Sequence, residues 1–206
     1  MRIYFVRHGE SEANANKIIS NKNSNYSLTR KGIQQVKSLC RKFKKIEFHI
    51  IYSSPIQRAT ETSKILSQAL YIPVEIRDCI QEFDAGILEG LADEKSWNEL
   101  GDLWQNWFVH NNPDYKIQDG ESLNDIKNRF SPFIFQIVKD YHKTDNNIII
   151  VGHCGSFICT LPFILHNIDM EYAYQRWLGN CEFVLAEYIK GNLNCVQWGA
   201  YKLINS

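Results

Sequence analysis

The sequence predicts an α/β fold, a three-layer sandwich in which helices flank a mostly parallel central sheet. Short apolar runs such as residues 2–6 and 148–151 are typical of strands buried on both faces. Segments with helical periodicity alternate with these runs, as they do in parallel sheets covered on both sides. Two further strand-like segments, 181–188 and 193–198, flank a glycine-containing turn and predict a closing hairpin.

The first half of the chain predicts three strands and two helices. Apolar residues recur with a period near 3.6 residues and indicate a helix over roughly 30–44. A second helix is expected to begin with Ser54 as N-cap and Pro55 as its first residue, and to end near Leu70. The strands of this half are residues 2–6, 48–53 and 74–76.

The second half begins with a long irregular segment, residues 79–121, which is rich in tryptophan and asparagine and includes one helix around 95–108. Connections of this length in compact domains are usually functional, so we expect a lid. The elements after it are, in order, an amphipathic helix over 122–141, a strand over 148–151 and a helix from near Gly155. We therefore predict one domain over residues 1–206, with 79–121 as its lid or insertion.

The composition argues against nucleic acids and membranes as partners. The net charge is +0 and the pI about 7.0, so no overall field attracts the chain to a polyanion. No apolar stretch approaches the ~18 residues of a membrane helix, and Arg7 interrupts the first apolar run too early for a signal peptide. The six cysteines include no C-x-x-C pair, so we expect reduced thiols, no metal site and a cytoplasmic location.

Residues that can carry chemistry follow the ends of the predicted strands. Arg7 and His8 follow the first strand, and Arg58 lies on the first turn of the helix after the second. Glu82 follows the third strand, and His153 follows the fourth. Ligands of open α/β sheets bind beyond the carboxyl ends of the strands, which share one edge when the strands are parallel. We therefore expect these five side chains to converge in one crevice.

This set suits phosphoryl transfer through a covalent phosphohistidine. The transferring phosphoryl group spreads its charge over three oxygens, which the planar forks of Arg7 and Arg58 would stabilise. His153, if protonated, would add a third cation. Backbone N–H groups at the start of the helix after His153 would add donors. Neutral His8 would attack, while Glu82 would protonate the departing alkoxide and then deprotonate a water molecule.

Ordered motifs extend over nearly the whole chain. They are Arg7-His8-Gly9-Glu10-Ser11 with Asn14, Leu28-Thr29 with Gly32, Ser53-Ser54-Pro55 with Arg58-Ala59 and Thr62, Glu82 with Gly86, Glu89 and Gly90, Gly120-Glu121-Ser122 with Arg129, and Gly152-His153. Together they resemble the histidine phosphatase superfamily, which includes cofactor-dependent phosphoglycerate mutases. The resemblance implies a phosphoglycerate mutase-like fold, His8 as the phosphorylated nucleophile and Glu82 as the proton donor. It also implies a phosphate pocket formed by Arg7, Asn14, Arg58 and His153.

Three positions depart from the pattern of that family. Ala85 stands where an aromatic residue is usual, Leu88 where tryptophan is common, and Cys154 where glycine is usual. None of these changes removes a charged group, so they alter the expected shape of the pocket and not the reaction class. Cys154 is included among the candidate phosphate-binding residues, with buried packing as its alternative role.

Other assignments also have alternatives. Asp84 and Glu89 lie near Glu82 in the sequence, so either could be the donor, although Glu89 fits a loop-ordering role better. Asn14 could be an ordinary turn residue. Asn180, just before the predicted hairpin, either reaches the site or only shapes the turn, and the sequence does not decide between these roles.

The tryptophan-rich segment favours a phosphatase over a mutase. Between Leu91 and Glu121 the fixed cations are Lys95 and Lys116, whereas acidic residues number seven. Such a lid repels a carboxylate-bearing bisphosphate. We therefore expect a phosphatase that hydrolyses a small-molecule phosphomonoester with a neutral leaving group, without metal or cofactor. Its pattern is similar to the α-ribazole and broad-specificity phosphatases.

The sequence is also compatible with two other functions, a cofactor-dependent phosphoglycerate mutase and a non-catalytic phosphate-binding module. Trp97, Trp104 and Trp107 either pack the lid onto the body or line an apolar or sugar-binding wall. The sequence does not reveal the oligomeric state, and a homodimer is one option.

Overall fold

Within residues 1–21 and 25–203, which the computed structural model describes, seven strands form one mixed sheet. Their order across the sheet is β3-β2-β4-β1-β5-β6-β7. The first four strands of that order pair in parallel, and the last three extend the sheet in antiparallel fashion. The strands are β1 (Arg2–Arg7), β2 (Ile50–Ser53), β3 (Val74–Ile76), β4 (Asn147–Gly152), β5 (Phe183–Ile189), β6 (Asn192–Trp198) and β7 (Tyr201–Lys202).

Helices cover both faces of the sheet. They are α1 (Glu12–Ala15), α2 (Arg30–Phe43), α3 (Gln57–Leu70), α4 (Glu94–Phe108), α5 (Leu123–Tyr141), α6 (Cys154–Thr160) and α7 (Met170–Tyr174). The predicted helices are all confirmed to within two or three residues at each end. The elements that the sequence did not indicate, α1, α7 and β7, are too short to show a periodic pattern. None of the described helices has the length and apolar character needed to cross a bilayer.

The side chains of the central strands alternate between two cores. β1 directs Tyr4 and Val6 into one core and Ile3 and Phe5 into the other, as the two-residue period of a strand requires. Apolar residues of α2 and α3 fill the first core, and those of α4, α5 and α6 fill the second. The predicted three-layer α/β sandwich is therefore confirmed.

The start of α3 corrects one prediction. Ile56 is the N-cap of this helix and makes no capping hydrogen bond with its side chain, so Ser54 and Pro55 precede the helix. The Ser54 hydroxyl accepts a hydrogen bond from the backbone N–H of Ile56 at 3.3 Å and contacts His153 at 2.8 Å. The serine therefore belongs to the site and not to the helix.

The register of the parallel strands brings the chemistry-bearing ends together. Arg7 on β1 pairs with Gly152 on β4, and Ser53 on β2 pairs with Val151 on β4. The residues that follow these positions therefore leave the sheet at one edge. That edge is where an open α/β sheet binds its ligands.

Candidate active site

The predicted residues gather around a cavity of about 150 Å³ at this edge. Those that line it are Arg7, His8, Asn14, Arg58, Glu82 and Cys154. His153 is fully buried beside them, with its ring centroid 5.2 Å from that of His8. The structure thus brings together every candidate site residue, although they are separated by up to 147 positions along the chain.

Two contacts determine which nitrogen of His8 carries the proton. Nδ1 lies 2.7 Å from the carbonyl oxygen of Gly9, which can only accept a hydrogen bond, so Nδ1 bears the hydrogen. On the other side, Nε of Arg58 donates to Nε2 at 3.0 Å, so Nε2 holds the lone pair. Burial, followed by the charges of Arg58 and Arg7, holds the pKa of His8 well below its ordinary value. His8 is therefore a neutral imidazole whose Nε2 carries the lone pair.

The Arg58 guanidinium connects His8 to a neighbouring loop. It donates to the Ser20 hydroxyl at 3.2 Å, to the Ser20 carbonyl at 2.9 Å and to the Asn21 carbonyl at 3.3 Å. Burial lowers the pKa of Arg58 to about 10, which leaves it a cation at neutral pH. Glu89 accepts the Asn21 backbone N–H at 2.8 Å and so orders the same loop.

Glu82 is held from three sides by backbone donors. Its Oε1 accepts hydrogen bonds from the N–H groups of Ser156 at 2.6 Å and Phe83 at 3.1 Å, and its Oε2 accepts one from Gly155 at 3.0 Å. Burial nevertheless raises the pKa of Glu82 above its ordinary value, which favours the protonated form that a donor needs. A Cβ atom on Gly155 would lie 2.8 Å from Glu82 Oε1, so this approach requires glycine.

These contacts contradict the expectation that the N–H groups opening α6 bind phosphate. The N–H groups of Gly155 and Ser156 are already donated to the Glu82 carboxylate. The sequence did not indicate this because a loop carboxylate separated by more than 70 residues from α6 leaves no local signal there.

A half-buried ion pair stabilises the loop that carries Glu82. Arg129 donates to both carboxylate oxygens of Glu121, at 2.7 and 3.0 Å, and to the Glu82 carbonyl at 3.1 Å. Glu121 in turn accepts the backbone N–H of Asp84 at 2.9 Å. Of the three acids considered as proton donor, Glu82 lines the cavity, whereas Asp84 and Glu89 are not among its lining residues.

The surroundings of His153 favour its neutral form, so it does not add the third cation that a protonated ring would supply. Burial, followed by the charge of Arg58, holds the pKa of His153 well below its ordinary value. Its Nε2 lies 2.8 Å from the hydroxyl of Ser54, and its Nδ1 is buried without a partner among the described residues. Residue type alone does not reveal protonation, because the shift arises from the tertiary surroundings.

Ser54 determines where the single proton of His153 lies. Ser54 Oγ accepts the Ile56 N–H with one of its two lone pairs, and among the described residues its own hydrogen has no acceptor other than His153 Nε2. His153 Nδ1 has no partner among the described residues in either tautomer, but the opposite tautomer would also leave the serine hydrogen unpaired, and a buried unpaired group costs about 1–3 kcal/mol. The proton therefore resides on Nδ1, where a neutral histidine remains a hydrogen-bond donor.

Two asparagines meet beside His8. Asn14 Oδ1 accepts hydrogen bonds from the Ser11 N–H at 3.2 Å and from Asn180 Nδ2 at 3.1 Å, which leaves the Asn14 Nδ2 group as a donor on the cavity wall. Asn180 Nδ2 also lies 3.2 Å from the carbonyl oxygen of His8. Asn180, which the sequence left undecided, thus reaches the site because it precedes β5, the strand that pairs with β1.

Cys154 lies on the cavity wall as a neutral thiol. Its sulfur accepts the Leu178 N–H at 3.3 Å, and burial raises the pKa of the thiol to about 11. Arg7 donates to the carbonyl of the same Leu178, while its buried Nε has no partner among the described residues. Arg7 Nε is therefore an N–H group that an anion in the cavity would satisfy.

Aromatic residues form the other wall of the cavity. Phe83, Trp97, Trp104 and Trp177 line it together with Leu100 of α4. Trp104 is 6% exposed and Trp107 2% exposed, so these two also pack the segment onto the body. Both roles considered for the tryptophans are thus present. The sequence did not indicate Trp177 or Ser20, which also lines the cavity, because neither belongs to a recognisable pattern.

The tautomer of His153 provides a test of this geometry. In the wild-type protein, ¹⁵N NMR of the histidine rings is expected to show the proton of His153 on Nδ1, because Ser54 occupies Nε2. Ser54→Ala removes that donor, so Nε2–H is expected to gain population. Ser63→Ala, a buried serine that contacts Ser53 instead, should leave the His153 spectrum unchanged. A wild-type spectrum dominated by Nε2–H would contradict the assignment.

Comparison with known proteins agrees with this arrangement. The family model for the histidine phosphatase superfamily (branch 1) matches residues 3–200. The chain is 30% identical over 182 residues to "Putative phosphoserine phosphatase 2" of Hydrogenobacter thermophilus, covering 84% of this chain and 86% of that protein. It is 30% identical over 189 residues to "Probable phosphoglycerate mutase GpmB" of Proteus mirabilis, covering 91% and 85% respectively.

Solved structures share the fold at lower identity. A protein titled "Mycobacterial hydrolase 1" superposes with a TM-score of 0.82 at 18% identity, covering 97% of this chain and 98% of that one. A putative alpha-ribazole-5'-P phosphatase from Escherichia coli superposes with a TM-score of 0.79 at 20% identity, covering 97% of each chain. Taken with the match over residues 3–200, the order of motifs and their convergence on His8 show that this chain belongs to the histidine phosphatase superfamily.

Proposed function

We propose that this protein hydrolyses small-molecule phosphomonoesters through a phosphohistidine formed on His8, with Glu82 as the proton donor. One observation carries the proposal. A single cavity holds a neutral histidine whose Nε2 is unprotonated, two arginines, and a carboxyl group whose pKa is raised. A phosphate-binding module requires the arginines but has no need of an acid beside them.

The first half-reaction transfers the phosphoryl group to His8. The Nε2 lone pair attacks phosphorus while the bond from phosphorus to the ester oxygen breaks, and Glu82 gives its proton to that oxygen. In the structure, Arg58 Nε donates a hydrogen bond to His8 Nε2. This hydrogen bond must break as attack begins, and Arg58 then donates to the phosphoryl oxygens instead. The Gly9 carbonyl keeps Nδ1–H in place and stabilises the positive ring that forms.

The second half-reaction restores the enzyme. The Glu82 carboxylate accepts a proton from water, the water oxygen bonds to phosphorus, and the bond from phosphorus to Nε2 breaks to release inorganic phosphate. The lowered pKa of His8 favours the neutral imidazole, and the raised pKa of Glu82 favours the protonated carboxyl group, so both shifts favour the proton states that the first half-reaction requires. A bound phosphate dianion raises the pKa of Glu82 further, since like charges disfavour ionisation.

The charges on the cavity wall support a phosphatase over a mutase. Among the described lining residues, the cations are Arg7 and Arg58, and both are placed for the phosphoryl group. A phosphoglycerate carboxylate would need a further cation. The names of the GpmB relatives indicate phosphoglycerate mutase activity, and the name of the Hydrogenobacter relative indicates phosphoserine as its substrate. Both substrates carry a carboxylate, so we expect this chain to differ from them in its leaving group.

The proposal also includes the domain organisation, the location and the partners of the protein. We propose one catalytic domain over residues 1–206, with 79–121 as its lid, acting in the cytoplasm on a free small molecule. Neither nucleic acid, membrane, metal nor cofactor is required in this scheme.

A substrate screen with a nucleophile variant tests the proposal. Wild-type protein is expected to release inorganic phosphate from 4-nitrophenyl phosphate and other monoesters equally well with and without EDTA. His8→Ala removes the attacking nitrogen and should lower kcat at least ~10²-fold. His166→Ala, an exposed histidine outside the cavity, should retain wild-type rates. Wild-type activity in His8→Ala, or bisphosphoglycerate-dependent isomerisation faster than hydrolysis, would contradict the proposal.

The role of Glu82 is tested by leaving groups of different basicity. An alkyl alkoxide needs a proton to depart, whereas 4-nitrophenolate leaves unaided. Glu82→Ala is therefore expected to lower kcat/KM for an alkyl phosphate by about 10²–10⁴-fold and to affect 4-nitrophenyl phosphate much less. Asp84→Ala, in the same loop, should change both substrates by the same factor. Equal losses for both substrates in Glu82→Ala would exclude Glu82 as the donor, whatever the effect on folding.

A further inference from the structure

A second cavity adjoins the catalytic one. It is an open groove of about 610 Å³ between one face of α4 and the segment around Tyr174 and Trp177. Trp97, Trp104 and Trp177 line both the groove and the catalytic cavity. The two spaces therefore share one wall of indole rings.

The size of the catalytic cavity limits what it can hold. Its volume of about 150 Å³ is that of a protein cavity which accommodates one benzene-sized molecule. A phosphoryl group with the first atoms of the alcohol fills a space of that order. A larger alcohol must therefore extend past the three tryptophans, and the adjoining groove lies along that path.

The shared wall offers exposed aromatic surface that is held in place. Trp177 is 50% exposed and Trp97 is 42% exposed, which is unusual for the largest apolar side chain. Trp97 is fixed by a 2.9 Å hydrogen bond from its Nε1 to the Lys17 carbonyl. Trp177 packs edge-to-face against Trp104, with ring centroids 4.6 Å apart. A rigid, accessible indole surface of this kind suits stacking of a flat ring.

The described polar residues that line the groove carry no positive charge. Asn98, Asp102 and Gln105 contribute from α4, and Gln105 donates to the Tyr174 hydroxyl at 3.2 Å. Asp102 is the charged residue among the described residues that line the groove. Amide and carboxylate groups beside an indole surface complement the hydrogen-bonding edges of a heteroaromatic ring, whereas an anionic alcohol finds no partner there.

We propose that this groove binds a flat heteroaromatic ring on the alcohol part of the substrate, stacked on Trp177 and Trp97. The inference rests on the proposed phosphatase function and narrows its substrate class. Stacking of a base on an aromatic side chain is worth more than a cation–π contact at an exposed site, so the wall favours a ring over an ammonium group. The wall shared with the catalytic cavity favours the substrate over a second protein as the occupant.

Two esters with the same leaving oxygen isolate the contribution of the ring. Adenosine 5′-monophosphate and ribose 5-phosphate both release a primary 5-hydroxyl, so their chemical steps are matched. Wild-type protein is expected to show a kcat/KM ratio of about tenfold or more in favour of the nucleotide, mainly through KM. Trp177→Ala should reduce this ratio toward one. Phe135→Ala, which removes an exposed aromatic residue of α5 far from the groove, should preserve it.

Binding to an inactive protein separates this proposal from the proposed function. With His8→Ala, quenching of tryptophan fluorescence is expected to show tighter binding of adenosine 5′-monophosphate than of ribose 5-phosphate, and Trp177→Ala should abolish the difference. Equal binding and equal turnover of the two esters would overturn the groove proposal and leave the phosphatase intact. A preference that survives in Trp177→Ala would also overturn it. Absence of hydrolysis with the ring preference in binding retained would overturn the phosphatase function alone.

Discussion

The buried guanidinium of Arg58 is the constraint on which the site depends. A cation that is 2% exposed is stable only when acceptors surround it, and carbonyl or hydroxyl oxygens of Ser20 and Asn21 supply them. Its Nε–H points at His8. Because a positive charge beside an imidazole disfavours protonation, Arg58 helps to keep both site histidines neutral. The same residue thus places a positive charge in the cavity and favours the neutral form of His8.

In the same cavity, the pKa of Glu82 is shifted in the opposite direction to the pKa values of the two histidines. Three backbone N–H groups and Arg58 stabilise its charge, yet burial outweighs them and raises its pKa. The ion pair formed by Arg129 and Glu121 stabilises the loop that carries it. A histidine whose pKa is lowered and a carboxyl group whose pKa is raised therefore share one cavity, and these opposite shifts support the roles proposed for them. The helix α6 contributes by positioning the acid, since its first N–H groups bind Glu82.

The sequence predicts most of the fold and the identity of the site residues, for physical reasons that are local. Apolar runs and helical periods mark the strands and long helices, and parallel strands must present their ends at one edge. Arg7, His8, Arg58, Glu82 and His153 follow those ends, so their convergence was predictable. Their protonation was not, because the neutral state of His153 depends on burial that only the tertiary structure creates. The contacts of Asn180 likewise join residues that are 166 and 172 positions apart.

The central claim is that Gly9 and Arg58 leave Nε2 of His8 as the attacking atom. The most direct test is to trap the phosphoenzyme by rapid acid-free quenching and to locate the phosphoryl group on the imidazole by ³¹P and ¹⁵N NMR. The account predicts a phosphohistidine at position 8 with phosphorus bonded to Nε2. A phosphoryl group on Nδ1, on another residue, or on no residue during turnover would contradict it.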